Sequence, residues 1–259
     1  MKRIFLYLNI LLLFFACKKD EIGPQVNGGE YKYGSNILIL NEGNFGFGNA
    51  SVSTYNPITK EVTNNVFQSQ NGFAIGDVLQ SVNRYQNKYY FVVNNSGKVV
   101  ITDTNLVYQT EITGFNSPRY IEFVGDKGFV TDLKQKAVYV VDLISNQIIN
   151  QISTQGWTED VIYHNSKLLV LDRGDYLSNA DSNYIFIINP ITFLKEDSIK
   201  TAINPNSMVI DKNGKLWVLS SGKPGLENPK LVQYDIPSKQ ILKSQEFTSI
   251  AASPSRLCI

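Results

Sequence analysis

The sequence is poor in the residues on which catalytic and metal centres most often depend. Its 259 residues include two cysteines and one histidine. With His164 as its single histidine, the chain holds no Ser/His/Asp set, no HExxH helix and no Cys/His zinc spacing, and no phosphate-cradling glycine loop is present. These absences exclude the commonest hydrolase and metalloenzyme signatures and leave carboxylates as the remaining acid–base groups.

Excess charge and long apolar segments are also absent. The formal net charge is +1, which offers no electrostatic case for nucleic acid. The apolar run at residues 4–16, broken by Asn9, is too short to span a bilayer comfortably. Helical periodicity is absent after it, so the rest of the chain is predicted to be all-β.

One stretch, residues 117–151, contains the unit on which the prediction of the fold is based. Four short runs rich in β-branched and aromatic residues, at 120–124, 127–132, 137–142 and 147–152, are each the length of a strand. Gly125 can supply a positive φ between the first two runs, and Asp142 can cap a turn after the third. The stretch therefore predicts two successive hairpins, which make a four-stranded antiparallel unit.

The same pattern returns along the chain. The residue that opens the third-strand turn recurs as Asn56, Asp103, Asp142, Asn189 and Asp235, at intervals of roughly 40–47 residues, the period of propeller blades. A β-sandwich is the alternative, but it has no reason to keep a fixed four-strand period. We therefore predict a β-propeller of four-stranded antiparallel blades over residues 36–259, with about five blades present.

The two ends of this region leave the completeness of the ring open. The first unit lacks an inner strand before Ile37, and the final SPSRLCI has the pattern of an inner strand that is entering, as SPRYIEF and NPNSMVI do. Either the last residues pair with residues 37–40 and close a five-bladed ring, or the chain is truncated from a larger ring. The second interpretation is preferred here.

The N-terminus predicts export and lipidation. Two basic residues, an apolar run and a small residue before Cys17 predict a signal peptide over residues 1–16. The position of Cys17 resembles a bacterial lipobox, which implies that its thiol is acylated. The following KKDE is similar to a signal that sends lipoproteins to the outer face of the outer membrane, and residues 17–35 then form a flexible tether. An ordinary signal peptide with an incidental cysteine, and a merely solvated charged tether, are the alternatives.

One rim of the predicted propeller carries the longer loops, which lie at residues 41–49, 172–183 and 220–229, whereas the other rim has tight turns. Binding sites usually lie on such scaffold-mounted loops. The loops mix aromatic and polar residues, as expected for a bulky ligand with apolar faces and hydrogen-bonding edges. The candidates are Asn41, Glu42, Asn44, Phe45, Phe47, Asp172, Arg173, Asp175 and Tyr176. Phe45 and Phe47 could instead pin their own loop, and Asp172, Asp175 and Asp181 could bind a cation, although their spacing is not that of a calcium loop.

The linkers into the inner strands point to the same rim and should ring the central channel. They add Asp77, Arg119, Trp157 and Glu159 to the candidates, with capping of the strand start as the alternative role. Carboxylates such as Glu42, Asp77, Glu159 and Asp172 could also converge there as a hydrolase or lyase site. No cofactor or metal is expected.

Three segments, ILILNEGNFGFGNASVSTYNP, NGFAIGDVLQSV and SPRYIEFV, carry a family resemblance. The chain resembles the YncE-like or YVTN-type surface β-propellers, in particular the lipoprotein subset found beside TonB-dependent transporters. Some of those are seven-bladed cobalamin-capture proteins. The resemblance implies a seven-bladed ring anchored in the outer membrane and facing the exterior, which binds a ligand such as a corrinoid and passes it to the transporter. A propeller that docks a protein or a surface polymer is the rival interpretation.

Overall fold

Nineteen β-strands and one short helix make up the part of the chain that the computed structural model describes, residues 36–174, 183–248 and 254–258. Blade 1 consists of β1 (Ile37–Asn41), β2 (Ser51–Tyr55) and β3 (Val62–Thr63). The helix α1 (Val66–Asn71) follows it. Blade 2 consists of β4 (Leu79–Tyr85), β5 (Lys88–Val93), β6 (Lys98–Asp103) and β7 (Tyr108–Thr113).

The remaining three blades repeat the four-stranded arrangement. Blade 3 consists of β8 (Pro118–Val124), β9 (Lys127–Asp132), β10 (Ala137–Asp142) and β11 (Gln147–Ser153). Blade 4 consists of β12 (Thr158–His164), β13 (Lys167–Asp172), β14 (Tyr184–Ile188) and β15 (Lys195–Lys200). Blade 5 consists of β16 (Pro205–Ile210), β17 (Leu216–Ser220), β18 (Lys230–Tyr234) and β19 (Ile241–Glu246). Each sheet is an antiparallel meander, so the predicted five-bladed β-propeller is confirmed.

The middle strands of blades 2 to 4 are apolar on both faces because each of these blades is packed between two others. In β5, Tyr90 and Val92 pack against blade 3, whereas Phe91 and Val93 pack against blade 1. In β13 the same alternation sends Leu168 and Val170 towards blade 3, and their neighbours towards blade 5. Each of the four hydrophobic clusters thus joins two consecutive blades, and burial of these side chains is the main stabilising contribution.

The turn before the last strand of each blade is capped by the residue that marks the sequence repeat. Asn56 Oδ1 accepts the amides of residues 58 and 59, and Asp103 Oδ1 accepts those of residues 105 and 107. Asp142, Asn189 and Asp235 cap their own turns in the same way. These side chains mimic a backbone turn and recur because every blade needs one. This part of the prediction is confirmed residue by residue.

The helix α1 is the one described element that the sequence pattern did not predict. Its six residues are too few for a recognisable helical period. Gly72 ends the helix with φ 81°, and its backbone amide donates a hydrogen bond to Gln68 O. Val66 and Phe67 are buried in the cluster between blades 1 and 2. Among the described residues, no helix is long and apolar enough to cross a membrane.

The ends of the chain bear on two earlier expectations. The signal peptide, Cys17 and the tether lie outside the described residues. Near the C-terminus, residues 254–258 form no strand and make no recorded pairing with β1. They run beside β16 instead: Asn206 Nδ2 donates to Pro254 O at 2.8 Å and Leu257 N donates to Ser207 Oγ at 3.1 Å.

Candidate functional site

The inner strands of blades 2 to 5 share a β-bulge near the beginning of the strand. The first residue of each pairs regularly with the second strand, and the register then shifts by one residue, as at Leu79/Ser81 in β4 and Pro205/Ser207 in β16. A bulge takes one residue out of the ladder and re-aims its side chain. Four polar side chains, those of Gln80, Arg119, Glu159 and Asn206, are thereby placed at the axis of the ring.

These residues line a cavity of about 820 Å³ at the axis. All five blades contribute: Glu42 comes from the loop after β1, Tyr120 from β8, Arg173 from the end of β13 and Ser221 from the end of β17. Arg256 adds a side chain from the C-terminal segment, and Leu40, Leu79 and Val82 give the wall an apolar part. A volume of this size lies within the roughly 300–1,000 Å³ of typical ligand pockets.

A buried carboxylate in the wall of the cavity holds two arginines. Glu159 is 3% exposed, and its Oε1 accepts hydrogen bonds from Arg119 Nε at 3.0 Å and from Arg119 Nη2. Its Oε2 lies 3.4 Å from Arg173 Nη1. The remaining Nη1 of Arg119 donates to Gln80 Oε1. Arg119 is therefore oriented by three contacts, whereas Arg173 has one long contact.

Arg256 lines the same cavity and is held by an aromatic ring. Its guanidinium lies 5.5 Å from the centroid of the Tyr120 ring, and its Nη2 donates to the phenolic oxygen. Burial raises the pKa of Tyr120, although the charge of Arg256 lowers it in part. Tyr120 is thus a neutral platform for a cation.

A second carboxyl, Asp160, follows Glu159 in the bulge of β12. It bridges blades 4 and 5, because its Oδ2 accepts the amide of Met208 at 3.3 Å. Burial raises the pKa of Asp160 to about 7; its bonds to the amides of Met208 and Val161 oppose the increase, Glu159 adds to it and Arg256 opposes it. The group therefore changes charge near neutral pH, next to the cavity.

Of the predicted site residues, Glu42, Arg119, Glu159 and Arg173 line the cavity together. Asp77 lies outside the lining and instead holds the glycine-rich loop of residues 41–49, since its Oδ2 accepts the amide of Gly46 at 2.8 Å. Asn41 donates from Nδ2 to two serines of β2, and the amide of Asn44 donates to Asn49 within the loop. The hydrogen bonds of Asn41, Asn44 and Asp77 therefore hold the conformation of the glycine-rich loop.

Asp172 and Trp157 hold the chain at the start of β12. Asp172 is fully buried: its Oδ2 accepts the amide of Gly156 at 2.7 Å and its Oδ1 that of Gly174 at 2.8 Å. Burial raises the pKa of Asp172 to about 6, against the effect of these bonds. Trp157 is half-buried and pairs through its backbone with Arg173 and Gly174. Asp172 therefore holds the backbone at the start of β12 and does not line the cavity.

Phe45 and Phe47 are 69% and 77% exposed, so they do not pin their loop to the blade. Asp175, Tyr176 and Asp181 lie outside the described residues, and within the described ranges no group of three or more His, Cys, Asp or Glu side chains could hold a metal ion. The carboxylates Glu42, Asp77, Glu159 and Asp172 do not converge, because only Glu42 and Glu159 line the cavity.

Most of the lining residues were not among the candidates predicted from the sequence, and these include Gln80 and Tyr120, which contact Arg119 and Arg256. Gln80 occupies the same bulge position as Arg119, so an alignment of the four inner strands was the signal that could have found it. Tyr120 was assigned to the strand because a bulge cannot be recognised from alternation alone.

The arrangement of blades is shared with many solved structures. Hydrazine synthase from Kuenenia stuttgartiensis superimposes with a TM-score of 0.55 at 19% identity, over 62% of this chain and 46% of that one. A quinonprotein alcohol dehydrogenase-like protein from Bacteroides thetaiotaomicron gives 0.59 at 15% identity, over 83% and 51%. The WD40 domain of Neurospora crassa Pan2 gives 0.59 at 12% identity, over 82% and 63%.

These identities support a common fold and nothing finer. The chain spans about half to two thirds of the length of those structures, from 46% to 63%. No curated protein sequence matches it. A family model does match, over residues 35–259, which is the whole propeller region. The chain belongs to the family described as a domain of unknown function, DUF5074.

Proposed function

We propose that this propeller is a cell-surface lipoprotein that binds a ligand in the axial cavity, with a corrinoid as the leading candidate, and passes it to a TonB-dependent outer-membrane transporter. The observation that carries the proposal is the cavity itself. It receives side chains from all five blades and opens among the longer loops, whereas the opposite rim has tight turns.

The wall chemistry supports a large ligand with both apolar faces and polar edges. Leu40, Leu79 and Val82 offer apolar contact, while Gln80 and Asn206 can pair with amide groups. Asn206 Oδ1 is buried and has no hydrogen-bond partner among the described residues, so it is available as an acceptor. A corrinoid combines a flat macrocycle with peripheral amides, which fits this set.

The exposed aromatic rings favour a contact outside the cavity. Phe45 and Phe47 stand on the loop that begins beside Glu42, and Leu226, 70% exposed, stands on the loop after β17. Exposed apolar side chains around a binding site often contact a partner or a protruding part of the ligand. We assign these three residues to the transporter contact or to the outer part of the ligand.

Calorimetric titration of the purified protein with cobalamin and cobinamide tests the proposal. The wild type should bind, and Phe45→Ala or Phe47→Ala should weaken binding about ten- to a hundredfold, as expected for an aromatic anchor. Tyr176→Ala tests the loop outside the described residues. Asn165→Ala and Asn213→Ala, on the tight-turn rim, are the controls. A wild type that gives no heat with either corrinoid contradicts the assignment of the ligand.

A further inference from the structure

The charges that line the axial cavity do not balance. Among the described residues, the lining holds three arginines, Arg119, Arg173 and Arg256, and two glutamates, Glu42 and Glu159. Glu42 is exposed, whereas Glu159 is buried. A cation in a recess is less screened by water than one on an open surface, so an excess of positive charge there attracts anions.

The three arginines differ in how much of their hydrogen-bonding capacity is used. Arg119 donates from all three guanidinium nitrogens, two to Glu159 and one to Gln80. Arg173 has a single contact with Glu159, at 3.4 Å, which is longer than the roughly 2.7–2.9 Å of a strong charge-assisted bond. A guanidinium carries five N–H donors, so most of those on Arg173 remain unassigned among the described residues.

Arg256 is recorded in no ion pair with a described residue. It lies over the Tyr120 ring and donates to the phenolic oxygen, which is a neutral partner. The nearby carboxyl of Asp160 has a pKa raised to about 7 by burial, so it neutralises Arg256 only in part at neutral pH. The segment that carries Arg256 is fixed by the bonds from Asn206 to Pro254 and from Leu257 to Ser207.

We infer that Arg173 and Arg256 form an oxyanion subsite inside the axial cavity, which binds a phosphate or carboxylate group of the ligand while Arg119 stays paired with Glu159. The planar fork of arginine suits both groups because each offers two oxygens for parallel N–H donors. The inference rests on the proposed function, since it takes the cavity as the binding site. It adds that the ligand carries an anionic group.

Methyl phosphate and acetate are the probes that test this subsite and distinguish its two forms. Each is titrated into the purified protein at constant ionic strength, set with sodium chloride, and the arginine side-chain NH resonances are followed by NMR. Saturable shifts are expected with at least one probe. Arg173→Gln and Arg256→Gln should each weaken binding about tenfold, the loss of one charge-assisted contact.

Arg84→Gln is the matched control, because Arg84 is also an arginine near a tyrosine ring, at 6.0 Å from the centroid of Tyr89, and stands close to the tight turn after β4. It should bind the probe as the wild type does. If the wild type does not saturate, or if all three variants lose affinity equally, the subsite does not exist. Should Arg173→Gln fail to fold, Arg256→Gln alone decides, since its residue lies outside the blades.

The failure of this inference can be told apart from that of the proposed function. If the protein binds a corrinoid but neither small anion, the proposed function is supported and the anion subsite is contradicted. If the protein binds an anion through Arg173 and Arg256 but binds no corrinoid, the subsite is supported and the corrinoid assignment is contradicted.

Discussion

Asp160 stands at the joint between two blades with a carboxyl that ionises near neutral pH. Its folded pKa of about 7 exceeds the ordinary value of 3.8, so the folded state holds the proton more tightly than the unfolded state does. The stability that this group contributes is full below pH 4 and is lost as the pH rises from about 4 to 7, at about 1.4 kcal/mol for each pKa unit.

Asp160→Asn should therefore leave the free energy of unfolding nearly unchanged at pH 4 and raise it by a few kcal/mol at pH 8. The asparagine oxygen can still accept one of the two backbone amides, those of Met208 and Val161, that the carboxyl accepts, and the side chain has no charge to bury beside Glu159. Urea unfolding of both proteins at the two pH values measures the difference. Asp126→Asn, in an exposed turn, is the control; equal profiles for wild type and Asp160→Asn would contradict the prediction.

Glu159 has two roles that a single substitution should separate. Glu159→Gln leaves two guanidinium groups in the recess without their carboxylate, so the free energy of unfolding should fall by about 3 kcal/mol. The same change frees Arg119 and Arg173 for an external anion, so the affinity for methyl phosphate or acetate should rise.

Glu122→Gln is the matched control for this pair of measurements. Glu122 lies on β8 and burial raises its pKa, but it has no recorded ion pair with a described residue. Its substitution should not lower the free energy of unfolding and should leave the affinity for anions unchanged. If Glu159→Gln lowered both stability and anion affinity, the carboxylate would be a structural requirement of the subsite rather than its competitor.

At the scale of elements, the entry into β12 depends on a close approach that only glycine allows. A Cβ on Gly156 would lie 2.3 Å from Asp172 Oδ1 and 2.6 Å from Gly174 Cα. Gly156→Ala should therefore lower the free energy of unfolding by about 2–3 kcal/mol, because the backbone that Asp172 holds must move.

Gly46→Ala is the comparison for this substitution. Gly46 has φ 85°, and a Cβ there would meet nothing within 4 Å, so only backbone strain of about 1 kcal/mol is expected. Thermal and chemical unfolding of both variants gives the two values. A Gly156→Ala protein as stable as Gly46→Ala would show that the start of β12 can shift without cost.

The elements were predicted from the sequence better than the site was. Alternation of apolar residues and the five turn caps indicate strands and turns directly, and the strand at 127–132 agrees with β9 at both ends. The helix α1 was missed because six residues show no period. Gln80 and Tyr120 were missed because a bulge depends on how two strands pair, which a single strand's sequence does not reveal.

Asp77 and Asp172 show why a polar residue at a rim was a poor guide to the cavity. Both stand beside the predicted loops, and both use their carboxylates to hold backbone amides. Sequence position places a residue at the rim, but only the packing of neighbouring blades decides whether its side chain turns towards the axis or towards its own loop.

At the scale of the whole molecule, the proposal requires an anchor at Cys17, outside the described residues. Metabolic labelling of cells with a fatty-acid analogue should mark the wild type and not Cys17→Ala, since the proposal makes the thiol of Cys17 the site of acylation. Protease added to intact cells should remove the propeller from the wild type. Protection from the protease would contradict the outward orientation while leaving lipidation in place.

The bulge shared by the inner strands has a consequence for how this scaffold can diversify. Each of blades 2 to 5 contributes one bulged polar residue to the cavity, and in chain order these are Gln80, Arg119, Glu159 and Asn206. Because a bulged residue lies outside the regular hydrogen-bond ladder of the strands, substituting its side chain removes no hydrogen bond of the sheet. If the cavity binds a ligand as proposed, a library varied at these four positions is a direct route to a protein with a changed specificity.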